Sequence, residues 1–113
     1  MNNREFGDAG EDLACRYLEK QGYKILERNK HFSKFCEIDI IAKHKDTVIF
    51  VEVKTRKTDG FGTPLEAITP SKLANIKKGV RFYIAENKVK KYRIDVVGIM
   101  LKPEMHITHL KNI

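Results

Sequence analysis

Residues 37–54 read EIDIIAKHKDTVIFVEVK, and this stretch decides the fold. Its two halves, residues 37–42 and 47–54, are rich in isoleucine and valine, and four polar residues separate them. Apolar β-branched segments favour strands, and a short polar connection between two of them is typical of a β-hairpin. The stretch therefore predicts two antiparallel strands.

Three charged residues lie within these apolar strands. Successive side chains of a strand point to opposite faces, so Glu52 and Lys54 share a face with Phe50. A register that places Asp39 opposite Phe50 or Glu52 collects all three charges on one face, at the open end of the hairpin. The hairpin thus predicts a compact group of one aspartate, one glutamate and one lysine.

The segments around the hairpin alternate between helical and strand patterns. Apolar residues recur at helical spacing before Gly22, which suits a left-handed helix terminator, and again after Thr69 and Pro70, which suit a helix start. The predicted elements are a helix over residues 4–21, a strand over 23–27 ending in the polar stretch 28–34, a loop over 55–69, a helix from 70 to about 86, and strands over 92–99 and 105–110.

This order of elements indicates an α/β fold. A strand, a helix and a further strand require a crossover connection, and strands joined in this way usually run parallel. We therefore expect one domain over residues 1–113, with a mixed central sheet flanked by helices.

Composition limits the classes of partner. The chain has 22 Lys and Arg against 15 Asp and Glu, a formal charge of +7 that favours polyanions such as nucleic acid. We find no apolar run of bilayer-spanning length and no signal peptide, so a cytoplasmic location without membrane association is expected. Cys15 and Cys36 lack metal-ligand spacing and are expected to be free thiols, and the scattered histidines argue against a zinc site.

The charged group has the chemistry of phosphodiester hydrolysis. Magnesium prefers carboxylate oxygens and keeps several waters, so Asp39 and Glu52 are the expected ligands, with the backbone carbonyl of Val53 as a third. Lys54 is expected to orient the attacking water or to stabilise developing charge. These residues predict a magnesium-dependent site.

Other charged residues are candidates for supporting roles. Glu11 aligns with the apolar side of the first helix and could reach the same metal or a second one, although a solvated helix carboxylate is an equal alternative. Arg56 and Lys72 lie close in sequence to the site and to the loop over residues 55–69, and we expect them to contact nucleic-acid phosphates.

A plainer interpretation of the charged group stays open. Glu52 and Lys54 can form an ordinary ion pair on one face of a strand, with Asp39 held by a nearby arginine. Against this, unpaired carboxylates within strongly apolar strands are costly and rarely occur without a reason.

Several motifs occur in the order found in one bacterial family. They are GEDLA from Gly10, EIDIIA from Glu37, VIFVEVKTR from Val48, FGTPLEAI from Phe61, a helical lysine, and RIDVVGI from Arg93. Over residues 7–99 the chain resembles the YraN-like family of uncharacterised proteins. That family usually has glycine where this chain has Cys36.

The YraN-like family is similar to the PD-(D/E)xK nucleases, and particularly to archaeal Holliday junction resolvases. The resemblance implies an α/β/α restriction-endonuclease-like core with functional carboxylates at Glu11, Asp39 and Glu52 and a functional lysine at Lys54. It also implies magnesium or manganese as cofactor, and a homodimer that addresses two DNA strands.

Three functions are compatible with these patterns. The first is a metal-dependent endonuclease acting on DNA, including branched or damaged DNA. The second is a non-catalytic nucleic-acid-binding module that keeps the nuclease fold. The third is a subunit that docks on a larger DNA repair or recombination assembly, with the loop over residues 55–69 as its contact.

Overall fold

The computed structural model of the chain describes residues 3–34, 36–57 and 65–113. Within them the elements follow the predicted order of helix, three strands, helix and two strands. They are α1 (Asn3–Lys20), β1 (Lys24–Ser33), β2 (Cys36–His44), β3 (Thr47–Arg56), a short 3-10 turn (Leu65–Ala67), α2 (Pro70–Asn87), β4 (Tyr92–Met100) and β5 (His106–Leu110). Residues 58–64, the middle of the predicted functional loop, lie outside the described residues.

The described strands form one mixed sheet in the order β1-β2-β3-β4-β5. The β2–β3 hairpin is antiparallel and pairs Ile40 with Val51 and His44 with Thr47. β3 and β4 run parallel, as the crossover through α2 predicts, and Glu52 pairs with Val96. The predicted mixed sheet is therefore confirmed.

Each face of the sheet is covered by one of the two described helices. Ala14, Cys15 and Leu18 of α1 are buried against a set that includes Ile49 and Val51. On the other face, α2 packs on a set that includes the fully buried Phe50, and its buried residues are Ile76, Gly79, Val80 and Tyr83. This α/β/α arrangement is the predicted fold class.

The boundaries of the helices have local causes. The Thr69 hydroxyl accepts a hydrogen bond of 3.1 Å from the Lys72 N–H, and Pro70 begins α2, as the sequence predicts. Gly22 follows α1 with φ of 90°, a conformation that glycine adopts without the steric cost met by other residues. Both predicted helix signals are confirmed.

The predicted end of the first strand is wrong. β1 continues through the polar stretch and pairs with β2 as far as Ser33 and Cys36. It is an edge strand with mostly exposed or half-exposed side chains and an irregular register, and Asn29 has φ of 51°. An edge strand is stabilised by its backbone ladder with one neighbour, so it needs no strong apolar pattern.

A polar cluster lies on the face of the sheet that α1 covers, where Asp95 pairs with Val51. The fully buried Asp95 accepts hydrogen bonds from Arg93 Nε at 3.0 Å and from the Asn112 N–H at 3.0 Å, and its Oδ2 lies 2.7 Å from His109 Nε2. The other ring nitrogen of His109 lies 3.0 Å from the Tyr17 hydroxyl. This cluster joins α1, β4, β5 and the C-terminal residues.

Neither described helix is long and apolar enough to cross a bilayer.

Candidate active site

Asp39 lies where the β2–β3 ladder opens. The paired residues end at Ile40 and Val51, and the same register extended by one residue places Asp39 opposite Glu52. Instead of continuing the ladder, Asp39 Oδ2 accepts a hydrogen bond of 2.8 Å from the Val53 N–H. The carboxylate is thereby fixed beside Glu52, as one of the predicted registers requires.

The alternation of faces along β2 is broken beside Asp39. Ile40 and Ala42 pack in the cluster of α1, whereas Ile38 and Ile41 both pack in the cluster of α2. A strictly alternating strand would separate Ile38 from Ile41. The alternation therefore breaks beside Asp39, whose side chain takes the place of a backbone carbonyl as acceptor for the Val53 N–H.

Glu52 is the most buried carboxylate of the site, with 5% of its surface exposed. Its Oε1 lies 2.7 Å from Lys72 Nζ and 3.7 Å from Lys54 Nζ. Lys72 reaches it from the first turn of α2, and Lys54 reaches it along the same face of β3. Strand and helix thus bring two ammonium groups to one carboxylate.

Burial and the neighbouring Glu52 carboxylate raise the pKa of Asp39 from 3.8 to about 8. The hydrogen bond from Val53 and the charge of Lys72 oppose this shift, and Glu11 adds to it. Two carboxylates that share a poorly solvated site resist ionising together. At neutral pH, Asp39 is therefore largely protonated until a further cation arrives.

The two lysines respond to the site in opposite directions. Burial and the adjacent Lys72 lower the pKa of Lys54. Burial also opposes the charged form of Lys72, but the hydrogen bonds with Glu52 and Lys54 and the charges of Glu52 and Asp39 together outweigh this effect, and the pKa of Lys72 is raised. Lys54 is consequently the lysine that gives up a proton more readily.

Glu11 lies within electrostatic reach of Asp39 but outside the ion-pair cluster. Burial raises its pKa, and Asn29 and Arg28 oppose that shift. Its Oε2 is 3.7 Å from Arg28 Nη2 and has no hydrogen-bond partner among the described residues. The preceding Gly10 allows α1 to approach β3, because a methyl group there would overlap the Thr55 hydroxyl. Glu11 is thus a half-buried carboxylate whose Oε2 atom has unused acceptor capacity.

An open cleft of about 200 Å³ gives access to the carboxylates. Its described lining comes from β2, β3 and the first turns of α2: Cys36, Glu37, Asp39, Glu52, Lys72, Asn75 and Ile76. The Cys36 thiol donates a hydrogen bond of 2.8 Å to the Asn75 carbonyl, which ties the cleft's rim to α2. Both cysteines are free thiols, as predicted.

The predicted metal site is incomplete in side chains alone. Over residues 3–34, 36–57 and 65–113, no three His, Cys, Asp or Glu side chains form a group that could hold a metal ion. Asp39 and Glu52 nevertheless provide the one or two carboxylates that magnesium requires from a protein, since its other ligands are mostly waters and substrate oxygens. These oxygen donors therefore fit magnesium. In this structure the Lys72 ammonium is paired with Glu52.

The structure brings together Asp39, Glu52 and Lys54 of the predicted residues. Lys72, predicted from its position in the chain as a phosphate contact, instead pairs with Glu52. Arg56 continues the face of Glu52 and Lys54 on β3 but does not line the cleft. The sequence showed that α2 starts near Lys72, yet it held no signal for which carboxylate the lysine would meet.

Comparison with known proteins identifies the family of this chain. Residues 10–99 match the family described as "Uncharacterised protein family UPF0102". The chain belongs to the UPF0102 family. That membership confirms the resemblance to YraN-like proteins, and the match contains Glu11, Asp39, Glu52 and Lys54.

Relatives in this family are similar over nearly their whole length. The UPF0102 protein of Syntrophomonas wolfei is 43% identical over 97% of both chains. That of Caldicellulosiruptor saccharolyticus is 46% identical over 89% of this chain and 86% of the relative. That of Clostridioides difficile is 44% identical over 99% of this chain and 98% of the relative.

Proposed function

We propose that this UPF0102 protein is a metal-dependent endonuclease that hydrolyses phosphodiester bonds in DNA. The observation that carries the proposal is the pair of carboxylates, Asp39 and Glu52, held side by side in an open cleft with Lys54 adjacent. Holding two acidic groups together in an apolar setting costs stability unless a cation joins them. A divalent cation meets that need and also supplies the chemistry.

The proposed cofactor is magnesium, with manganese as an alternative. Asp39, Glu52 and the Val53 carbonyl would hold it. When bound, such a cation polarises the scissile phosphate and lowers the pKa of a coordinated water.

Each side chain has a separate proposed role. The Val53 N–H orients Asp39, and the β3 backbone fixes Glu52. Lys54, whose pKa is lowered, orients the attacking water and accepts its proton or stabilises charge on the phosphate. Lys72 stays charged and positions Glu52.

Two further residues would support the reaction from outside the cleft. Arg56, two residues beyond Lys54 on the same strand face, would contact a phosphate of the substrate. Glu11 would bind a water of the metal or a second ion through its unused oxygen.

The chain's positive charge supports DNA as the substrate. A formal charge of +7 favours a polyanion, and binding through phosphates makes affinity fall with salt. Branched or damaged DNA, a homodimer and a cytoplasmic location belong to the same proposal. The two free thiols are compatible with a reducing compartment.

A second candidate function is a non-catalytic module that binds nucleic acid or docks on a larger repair or recombination assembly. The 2.7 Å contact between Glu52 and Lys72 favours it, because an internal ammonium already neutralises the most buried carboxylate. In that case the charged cluster would serve the fold alone.

The experiment is a cleavage assay on linear duplex, single-stranded and four-way-junction DNA, in magnesium, manganese or chelator. Asp39→Asn, Glu52→Gln and Lys54→Ala are each expected to lower the cleavage rate by about 10²-fold or more, without abolishing DNA binding. The matched control is Glu37→Gln, a cleft carboxylate with no proposed role in metal binding.

Metal-dependent cleavage by the wild type and by Glu37→Gln, with loss of cleavage in the three site variants, would support the endonuclease. Binding to every substrate without cutting would reject the endonuclease and favour the module. Calorimetry of magnesium and manganese binding to the wild type and to Asp39→Asn separates a lost metal site from lost chemistry.

A further inference from the structure

A second cleft lies beside α2, beyond the carboxylate site. It has a volume of about 430 Å³ and runs between α2, the start of β4 and the C-terminal residues. Lys77 and Arg81 line it from the helix, Tyr92 lines it from β4, and Asn112 lines it from the segment after β5. A shallower cleft of about 420 Å³ continues from Tyr92 toward Lys90.

Within the part of the chain that the structure describes, Lys77 and Arg81 are free to bind a ligand, whereas Arg93, which also lines the cleft, is paired with Asp95. Over residues 3–34, 36–57 and 65–113, no carboxylate forms an ion pair with Lys77, Arg81 or Lys90. Lys77 and Arg81 are four residues apart and therefore lie on one side of the helix. Positive charge without internal partners is available for phosphates spaced along a strand.

Tyr92 adds a flat apolar surface to this charge. Its ring is 50% exposed, which is unusual for an aromatic side chain in a strand. The ring also meets the fully buried Phe50 edge-on, with centroids 6.2 Å apart and planes at 76°. A tyrosine anchored at one edge and open to solvent is a suitable platform for stacking a nucleic-acid base.

This platform lies on the same face of the sheet as the carboxylates. Tyr92 pairs with Val48, four residues before Glu52 on β3, so the two sites are about 13 Å apart along the strand. The nine residue-to-residue steps from Lys72 to Arg81 on α2 give a similar span of about 14 Å. Either span corresponds to about four stacked nucleotides of one strand.

We infer that this second cleft binds a single-stranded segment of the DNA substrate, with a base stacked on Tyr92 and phosphates on Lys77 and Arg81. The inference rests on the proposed function of the carboxylate site. It narrows the substrate to DNA in which a single strand or unpaired arm lies about four nucleotides from the cut. Stacking accepts every base, so no sequence preference is expected from this contact.

The test measures binding in chelator, where no cleavage occurs. Fluorescence anisotropy compares a single strand, a blunt duplex and a duplex with a single-stranded arm. Tyr92→Ala is expected to weaken binding of the single strand and the armed duplex by about tenfold and to leave the blunt duplex unchanged. Tyr92→Phe keeps the ring and the contact with Phe50, so it should bind as the wild type does.

Charge is tested separately with Lys77→Ala/Arg81→Ala. Its control is Lys20→Ala/Lys24→Ala, which removes the same charge from exposed positions at the end of α1 and the start of β1. The cleft variant should lower the salt dependence of single-strand binding by about 1.4 in log–log slope, and the control should not. Phe82→Ala, which removes a 63% exposed ring outside this cleft, is the aromatic control.

The two proposals fail in different ways. If Tyr92→Ala binds single strands as tightly as the wild type, or loses blunt duplex equally, the stacking site is rejected whatever the cleavage assay shows. If single-strand binding depends on Tyr92 but no substrate is cut, the binding cleft is supported and the endonuclease activity is rejected. Equal competition by polyglutamate would overturn the cleft's assignment and indicate an acidic protein partner.

Discussion

Asp39 is the residue whose charge state the fold controls most strongly. Its pKa of about 8 lies above the value of about 3.9 expected in the unfolded chain, so the folded state prefers the protonated form. The sign follows from linkage: stability is greatest below about pH 4, decreases as the unfolded carboxyl ionises, and levels off above about pH 8. An asparagine side chain at this position does not ionise and so avoids this loss of stability.

Asp39→Asn is therefore expected to stabilise the metal-free protein at alkaline pH. The asparagine Oδ1 can still accept the Val53 N–H, while the repulsion from Glu52 disappears. We expect a gain of about 1–3 kcal/mol in unfolding free energy at pH 9, and none at pH 4. Urea unfolding in chelator at both pH values measures this, and equal curves at pH 9 would contradict the raised pKa.

Lys72 is expected to act as an internal substitute for the metal. Lys72→Ala leaves Glu52 buried with only the more distant Lys54, so metal-free stability should fall by about 1–2 kcal/mol, allowing for the partial exposure of Lys72. Added magnesium should restore that loss and raise the melting temperature of the variant more than that of the wild type.

Lys78→Ala, on the exposed side of the same helix, is the control for charge removal. Thermal melts with and without magnesium make the comparison. A variant that melts like the wild type without metal would show that the 2.7 Å contact contributes little. A variant that magnesium does not rescue would argue against a metal at Glu52.

At the scale of elements, two helical glycines should respond oppositely to alanine. A Cβ on Gly7 in α1 meets no described atom within 4 Å, whereas one on Gly79 in α2 would lie 2.8 Å from both Cys36 Sγ and Phe32 Cδ2. Gly7→Ala is expected to stabilise by about 0.5–1 kcal/mol through helix propensity. Gly79→Ala is expected to destabilise by about 1–2 kcal/mol, because α2 must move away from the sheet.

Denaturant unfolding of both variants checks this prediction. Because Cys36 lines the carboxylate cleft, Gly79→Ala should also weaken metal binding, and Gly7→Ala should not. Stabilisation by both alanines would mean that the contact between α2 and β2 is looser than described.

How far the sequence predicts each element depends on how much of it is buried. β2 and β3 were predictable because both contribute buried apolar side chains, but the predicted four-residue turn left their register open, and the observed two-residue connection fixes it. β1 was predicted too short because an edge strand carries polar residues. The pairing of Lys72 with Glu52 was not predictable, since it depends on how the helix after the loop docks on the sheet.

At the scale of the whole molecule, Asp95 ties the two ends of the chain together. Burial opposes its charge, but His109, the Asn112 N–H and Arg93 outweigh this effect and lower the pKa of Asp95. Its contribution to stability is therefore present above about pH 4 and is lost as the pH falls through the lowered folded value. The polar contacts that join α1, β4 and β5 therefore centre on the Asp95 carboxylate.

Asp95→Asn is expected to cost about 3 kcal/mol at pH 7 and progressively less as the pH falls through the lowered folded value, where the wild-type carboxyl becomes protonated. Hydrogen exchange should show lost protection in β5 and at Asn112 before the β2–β3 hairpin is affected. Asp46→Asn is the control, since Asp46 forms an exposed ion pair with Lys91. Uniform loss of protection across the sheet would instead make Asp95 part of one global unit.

The two-residue turn of the hairpin also bears on the order of folding. His44 and Thr47 are close in sequence, so β2 and β3 can pair early, whereas Lys72 arrives only after a longer segment has closed. Before α2 docks, the hairpin would hold Asp39 against Glu52 with Lys54 as the nearby ammonium group. Stopped-flow refolding should therefore be faster at pH 5 than at pH 8 and should accelerate with magnesium at pH 8. In Asp39→Asn both effects should shrink, because one of the two repelling charges is absent before the helix docks.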